Sequence, residues 1–240
     1  MNIIVTGASR GIGKAIAMAL ADKDNNILIN CVNNVDKLDT VNSILKEHGC
    51  NSITYCGDVS DYDTCADMID TAIKTFGSVD VLINNAGIST VGLFQDMSRT
   101  EWDKIWNTNI GSVFNCCNLV LPHMINAKCG KIINISSVWG NVGASCEVAY
   151  SATKGAVNSL TKALAKEVAP SNIQVNAIAC GAIDTEMNNH LSPEDKEALA
   201  EEIPAGRFGT PDEIGQIVKN IINSPSYLTG QIITVDGGWL

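Results

Sequence analysis

The sequence predicts a doubly wound α/β fold, a parallel sheet of about seven strands with helices on both faces, in a single domain spanning residues 1–240. Three observations predict it. Short β-branched runs alternate with longer stretches of helical period, as in repeated βαβ units. Most of the strand candidates are continuous apolar runs, as required when helices cover both faces of a sheet. The first run also leads straight into a glycine-rich turn that opens a helix.

In chain order the strand candidates are "NIIVT" (2–6), "ILINCV" (27–32), "SITYC" (52–56), "VDVLIN" (79–84), "KIINIS" (131–136), "IQVNAIA" (173–179) and "IITV" (232–235). Helical patterns fall between them near 12–22, 36–48, 61–76, 99–127, 150–168 and 211–223. Residues 181–210 break this rhythm: the segment is acidic, opens on Gly181 and carries a short helical pattern at 193–202. A connection of that length inside a compact α/β unit predicts a lid over a site.

Composition narrows the function. Apolar residues make up 45% of the chain and charged ones 18%, enough to build a core and too apolar for a disordered chain. The net charge of -10, without a basic run, argues against nucleic acid as a partner. No apolar stretch approaches the roughly 20 residues of a membrane span, and no basic leader precedes the first strand, so no membrane partner and a cytoplasmic location are expected. Nine cysteines at scattered spacing, with no C-x-x-C pair, read as reduced, mostly buried thiols. His48, His123 and His190 stand apart from one another, and no metal is expected.

The chemistry sits at the ends of strands. "TGASRGIG" (6–13) joins the first strand to the first helix, where Gly7, Gly11 and Gly13 allow a tight turn and the helix N-terminus offers N–H groups to a pyrophosphate. Dinucleotide folds of this Rossmann type place a carboxylate roughly 20 residues further on, for the ribose 2′-hydroxyl. Here residues 30–35 are uncharged, and Arg10 in the turn can pair with a 2′-phosphate, so NADP(H) is favoured over NAD(H). Asp36 is the alternative if the strand runs further. The third candidate strand leads to Asp58, suited to an adenine amino group. The fourth leads to Asn84, Asn85, Ala86 and Gly87, the fifth to Ser136 and Ser137, and the sixth to "CGAIDT". All are carboxyl ends of parallel strands, where open α/β sheets bind ligands.

Beyond these ends lies "YSATK", with Tyr150 and Lys154 one helical turn apart on one face. An ammonium beside a phenol lowers the phenol pKa from about 10 and suits it to proton transfer at a carbonyl or alcohol. Ser137, just upstream, can bond the same substrate oxygen.

With these motifs in order, the sequence resembles the short-chain dehydrogenase/reductase family over essentially its whole length. The matching features are "TGASRGIG", "DV" at 58–59, "NNAG", Asn109 in "NTNIGS", "NISS", "YSATK" and "VDGGW". By "PAGRFGTPDEI" and "TGQIITVDGG" it is most similar to the 3-oxoacyl-[acyl-carrier-protein] reductase branch. The resemblance implies a catalytic set of Asn109, Ser137, Tyr150 and Lys154, in which Asn109 supports a water relay to Lys154. It implies a cofactor set of Gly7, Ser9, Arg10, Gly11, Ile12, Gly13, Asp58, Val59, Asn85, Ala86, Gly87, Tyr150, Lys154, Gly181, Ile183 and Thr185, the last near the nicotinamide carboxamide. It also implies a homotetramer built on the helices near 99–127 and 150–168, and an acyl-thioester substrate with an acyl carrier protein as partner.

Ser137, Val138, Cys146, Tyr150 and Met187 are expected to meet substrate, with Ile88, Trp139 and His190 nearby. Where the family has Pro-Gly after the sixth strand this chain has Cys180–Gly181, which predicts a looser backbone there. For an acidic carrier it offers Lys128 and Lys131, but Pro170–Ser171 where a second basic group would help. The expected reaction is reduction of a 3-oxoacyl thioester. A steroid or other hydrophobic alcohol is the alternative substrate, and a non-catalytic NADP(H) sensor the alternative of another class.

Overall fold

The computed structural model describes residues 1–189 and 191–240. In chain order it contains β1 (Asn2–Val5), α1 (Gly11–Ala19), β2 (Asn26–Cys31), α2 (Val35–Glu47), β3 (Asn51–Cys56), α3 (Tyr62–Phe76) and β4 (Val81–Asn84). Next come α4 (Arg99–Trp106), α5 (Ser112–Ala127), β5 (Gly130–Ser137), α6 (Trp139–Val142), α7 (Val148–Val168) and β6 (Ile173–Cys180). The chain closes with α8 (Pro193–Glu202), α9 (Pro211–Ile222) and β7 (Ile232–Val235).

The strands form one sheet in the order β3-β2-β1-β4-β5-β6-β7. Every pairing is parallel, with Ile4 opposite Leu28 on one side and Leu82 on the other. Two half-sheets therefore wind outward from the β1–β4 junction, and a crevice opens there above the carboxyl ends of the strands.

Both faces are dry, which explains the continuous apolar strands. On one face Ile3, Ile27 and Ile29 pack with Ile16 of α1, Leu38 of α2 and Ile214 of α9. On the other, Ile4, Leu28 and Leu82 pack with Met68 of α3, Val120 of α5 and Val157 of α7. Each fully buried aliphatic side chain contributes about 1.5–3 kcal/mol. Polar groups in this interior are chained together: Asn84 Nδ2 donates to Asn134 Oδ1 (2.8 Å), and Asn134 Nδ2 to Thr161 Oγ1 (2.9 Å).

The sequence reading departs from the structure in two places. The predicted helix over 99–127 is interrupted by a π turn at Asn107–Gly111, because buried Asn109 is drawn out of the helical ladder toward Ile88. The connection between Ser137 and Tyr150 contains α6 rather than a plain loop. The 181–210 segment does hold a helix at Pro193–Glu202, as its pattern predicts. Its two ends meet at a bridge between Ile183 and Gly209, and Ile203 within it is buried.

Candidate active site

One cleft of about 860 Å³ runs along the carboxyl edge of the sheet. At one end it is formed by the turn after β1. Gly7 has φ +64°, and a Cβ there would stand 3.0 Å from Ala86 Cα; a Cβ on Gly13 would strike Gly7 O at 2.4 Å. The motif thus packs the start of α1 against the end of β4 with no room for side chains. Whereas α8 and α9 close their N-termini with capping boxes, α1 has no side-chain cap and no acidic residue in its first turn. Its N–H groups remain open to an anion.

The second strand reaches this end too. Cys31, Val32, Asn33 and Asn34 line the cleft, whereas Asp58 and Val59 after β3 do not. Asp58 instead turns its carboxylate to Ser60 N (2.9 Å), and Val59 is buried with its carbonyl bonded by Asn115. The sheet order places β2, and not β3, beside β1, so the end of β3 is one strand further from the first turn. Asp36 lies in the first turn of α2, past the strand end, and is not among the residues that line the cleft.

At the other end α7 presents Tyr150 and Lys154. Lys154 is 4% exposed, with Nζ donating to Ile135 O (2.8 Å) and lying 5.5 Å from the centre of the Tyr150 ring. Burial lowers its pKa to about 8. Tyr150 is half-buried, and Ser137, at the end of β5, shares its wall of the cleft.

The Tyr150 phenol contradicts the sequence expectation of a lowered pKa. Burial pushes it above its ordinary range; Cys180 adds to the shift, a hydrogen bond with Ser137 opposes it, and Glu147 adds again. Cys180 is itself held up at about 12 by burial and is neutral at pH 7, so desolvation is the cause that counts. The ammonium lies against the ring face, and at that position it does not overcome the loss of water. A neutral phenol above a cation is a proton donor whose conjugate base has a ready counter-charge.

Asn109 is wholly buried in the π turn. Its Oδ1 accepts from Ile88 N (2.8 Å), and its Nδ2 donates to Ile88 O (2.9 Å) and Thr153 Oγ1 (3.1 Å). It ties the segment after β4 to α7. A Cβ on Gly87 would lie 3.4 Å from Asn109 Oδ1 and 3.6 Å from Lys154 Nζ, so glycine keeps open a cradle beside the lysine.

The family model for short chain dehydrogenase matches residues 1–196. The 3-oxoacyl-[acyl-carrier-protein] reductase FabG of Staphylococcus epidermidis (strain ATCC 12228 / FDA PCI 1200) is 41% identical over 238 residues, covering 99% of this chain and 98% of the relative. FabG of Staphylococcus aureus (strain N315) is 42% identical over 99% and 97% of the two chains. FabG of Chlamydia muridarum is 39% identical over 98% and 95%. This chain belongs to the short-chain dehydrogenase family. It is an oxidoreductase that uses a nicotinamide cofactor.

A nicotinamide dinucleotide fits the residues this dehydrogenase presents. The open N-terminus of α1 suits a diphosphate, the cradle at Gly87 suits a ribose beside Lys154, and the cleft joins the two. Of the predicted cofactor set, Gly7, Ser9, Arg10, Gly11, Ile12 and Gly13 line the cleft from the first turn. Asn85, Ala86 and Gly87 line it after β4, and Gly181, Ile183 and Thr185 after β6.

Among the predicted substrate residues Ser137, Val138, Tyr150 and Met187 face the cleft, with Ile88 and Trp139. Cys146 does not line it; it sits in a turn at φ +64° whose carbonyl accepts from Gly92 N (2.8 Å). His190 lies outside the described residues.

Two further positions singled out in the sequence bond to backbone groups. At Cys180 the carbonyl accepts from Val138 N and the next N–H donates to Val235 O (both 2.9 Å), so β6 keeps its strand bonds into the site. Lys131 is no free cation for a carrier, because Nζ donates to Ile222 O and Ser224 O at the end of α9.

Sequence reasoning missed several residues of the dehydrogenase site. Trp239 meets Trp139 edge to face at 5.0 Å and lines the cleft with it. Ser89 donates to Glu147 at the mouth. Most notably, Glu186 from the 181–210 segment binds both Arg10 and Lys37. Trp239 closes the quoted "VDGGW", whereas Ser89, Glu147 and Glu186 fall in no motif.

Proposed function

We propose that this dehydrogenase is an NADP(H)-dependent reductase of 3-oxoacyl thioesters, the activity named for its FabG relatives. The observation that carries the reading is the placing of Tyr150 and Ser137 on one wall of a nucleotide-sized cleft, with the Lys154 ammonium 5.5 Å from the Tyr150 ring. A phenol that keeps its proton at neutral pH is the form that carbonyl reduction consumes. When bound, NADPH supplies hydride to the carbonyl carbon. Ser137 and Tyr150 hold the keto oxygen, and Tyr150 gives its proton to the alkoxide that develops there. Lys154 stabilises the resulting phenolate and holds a ribose hydroxyl. Asn109 fixes the turn at 86–88 and supports the proton relay to Lys154.

The NADP(H) preference rests on Arg10 together with a β2 end that offers no carboxylate. Asp58 and Val59 remain candidates for the adenine edge, and residues 181–210 act as a lid on a single domain. Exposed Trp106, Phe114 and Val148 support a homotetramer through α4, α5 and α7. A cytoplasmic role in fatty acid synthesis follows from the same reading, with the acyl carrier meeting a face on which Lys131 is already engaged.

Following NADPH absorbance with a 3-oxoacyl thioester tests the activity. Tyr150→Phe is expected to lose at least ~10²-fold in kcat, the lower end of what general acid catalysis contributes. Equal turnover by both proteins would remove Tyr150 from the mechanism. Consumption of NADPH with hydrophobic ketones but with no thioester would reassign the substrate.

A further inference from the structure

We infer that the Glu186 carboxylate occupies the site of the cofactor 2′-phosphate, and that Lys37 joins Arg10 as the second cation of that site. The inference rests on the NADP(H) reading above and adds to it a residue that determines specificity and an internal competitor.

Three parts of the chain converge here. Arg10 comes from the turn after β1, Lys37 from α2 just past β2, and Glu186 from the short 3-10 turn Glu186–Asn188 that follows Thr185. Arg10 Nη1 binds Glu186 Oε2, and Lys37 Nζ binds Oε1 at 2.9 Å, so one carboxylate is divided between two cations. The two pairs hold the Glu186 carboxyl below its usual range.

A single negative charge leaves such a pair of cations in excess, whereas a phosphate dianion offers the matching charge and more acceptor oxygens. A guanidinium fork and a compact ammonium are both common partners of phosphate. Arg10, Asn33, Asn34 and Glu186 line the same end of the cleft, and the end of β2 supplies no carboxylate that would prefer a ribose hydroxyl.

Phosphate and carboxylate cannot share the cations, since like charges at contact distance repel. The 2′-phosphate must therefore displace Glu186, and Thr185 is its immediate neighbour in the turn. The exchange frees one edge of the 181–210 segment only when the cofactor carries the extra phosphate. NAD(H), which has only a hydroxyl there, leaves the contact closed. The affinity for NADP(H) is reduced in proportion to the closed fraction.

Calorimetric titration with adenosine 2′,5′-bisphosphate and with 5′-AMP separates the claims, because only the first carries the 2′-phosphate. Wild type is expected to prefer the bisphosphate. Glu186→Gln should tighten the bisphosphate about 3–10-fold at low salt, the scale of exposed ion pairs, and leave 5′-AMP unchanged. Lys37→Met should weaken the bisphosphate about 10-fold, the scale of one charge-assisted contact, again without effect on 5′-AMP. Melting curves of the variants check that each is folded.

If wild type prefers the bisphosphate but Glu186→Gln does not tighten it, or tightens both nucleotides alike, the exchange is overturned while the NADP(H) reading stands. An unaltered bisphosphate affinity in Lys37→Met removes Lys37 from the site. A wild type that holds both nucleotides equally overturns the cofactor preference and the exchange together.

Discussion

The two ends of the cleft use charge in opposite ways. At the nucleotide end, Arg10, Lys37 and Glu186 are each roughly half exposed and pair across loops, with one carboxylate shared by two cations. At the catalytic end, Lys154 is 4% exposed, Asn109 is wholly buried and every polar atom described there is tied to backbone or to a neighbouring side chain. Exposed charges in water are weakly held, so they exchange partners readily. Buried groups have no water to fall back on, and their proton affinities shift instead. Recognition of a diffusing nucleotide suits the first regime. Proton transfer suits the second.

This contrast can be broken most decisively at Asn109. Asn109→Ala leaves Ile88 N–H and C=O without their partner and removes the bond that the Thr153 hydroxyl accepts, its bond to Tyr150 O remaining. Each unsatisfied buried group costs about 1–3 kcal/mol, so urea unfolding should show a loss of several kcal/mol, together with a fall in kcat. A variant as stable as wild type would mean that Asn109 does not hold the 86–88 turn.

Lys154 offers a subtler probe. Its pKa falls from 10.5 to about 8 on burial, so the unfolded chain binds more protons than the native protein between those values. Stability that Lys154 costs below pH 8 is thus recovered as pH rises toward 10.5. Measured by urea unfolding at pH 7 and pH 9.5, wild type should gain on Lys154→Met by up to about 2 kcal/mol. No change in that gap would place the ammonium in water. Over the same range kcat/KM for reduction should decline as the cation is lost, since this profile reports groups of the free enzyme.

The smallest effect belongs to the exposed end. Raising salt from about 0.05 to 0.5 M shortens the screening length severalfold and should shrink the bisphosphate advantage of Glu186→Gln toward unity. The pH at which Lys154 titrates should scarcely move. A salt response of equal size at both ends would erase the distinction between them.

The strands and most helices were legible because their signals are local. An apolar run such as "VDVLIN" needs no partner to declare itself, and glycines at 7, 11 and 13 declare a turn by what they lack. The Tyr150–Lys154 pair was legible for the same reason, since helical periodicity alone sets both side chains on one face. The π turn at Asn107–Gly111 was not, because its cause is a bond to Ile88, 21 residues away. Nor was the absence of Asp58 from the cleft lining, since the sheet order sets β2, and not β3, beside β1. Asp58 looks the same in sequence wherever its strand is placed.

By itself, then, the chain determined its periodic elements, the glycine turn and the spacing of its proton-transfer residues, all of which depend on neighbours within a few positions. Tertiary structure alone decided that Tyr150 keeps its proton and that Lys154 gives up some of its affinity, because desolvation is a property of everything packed around a group. It also decided that Glu186, 149 residues from Lys37 and 176 from Arg10, meets both cations. Electrostatics depends on distance in space, which the order of residues along a chain does not specify.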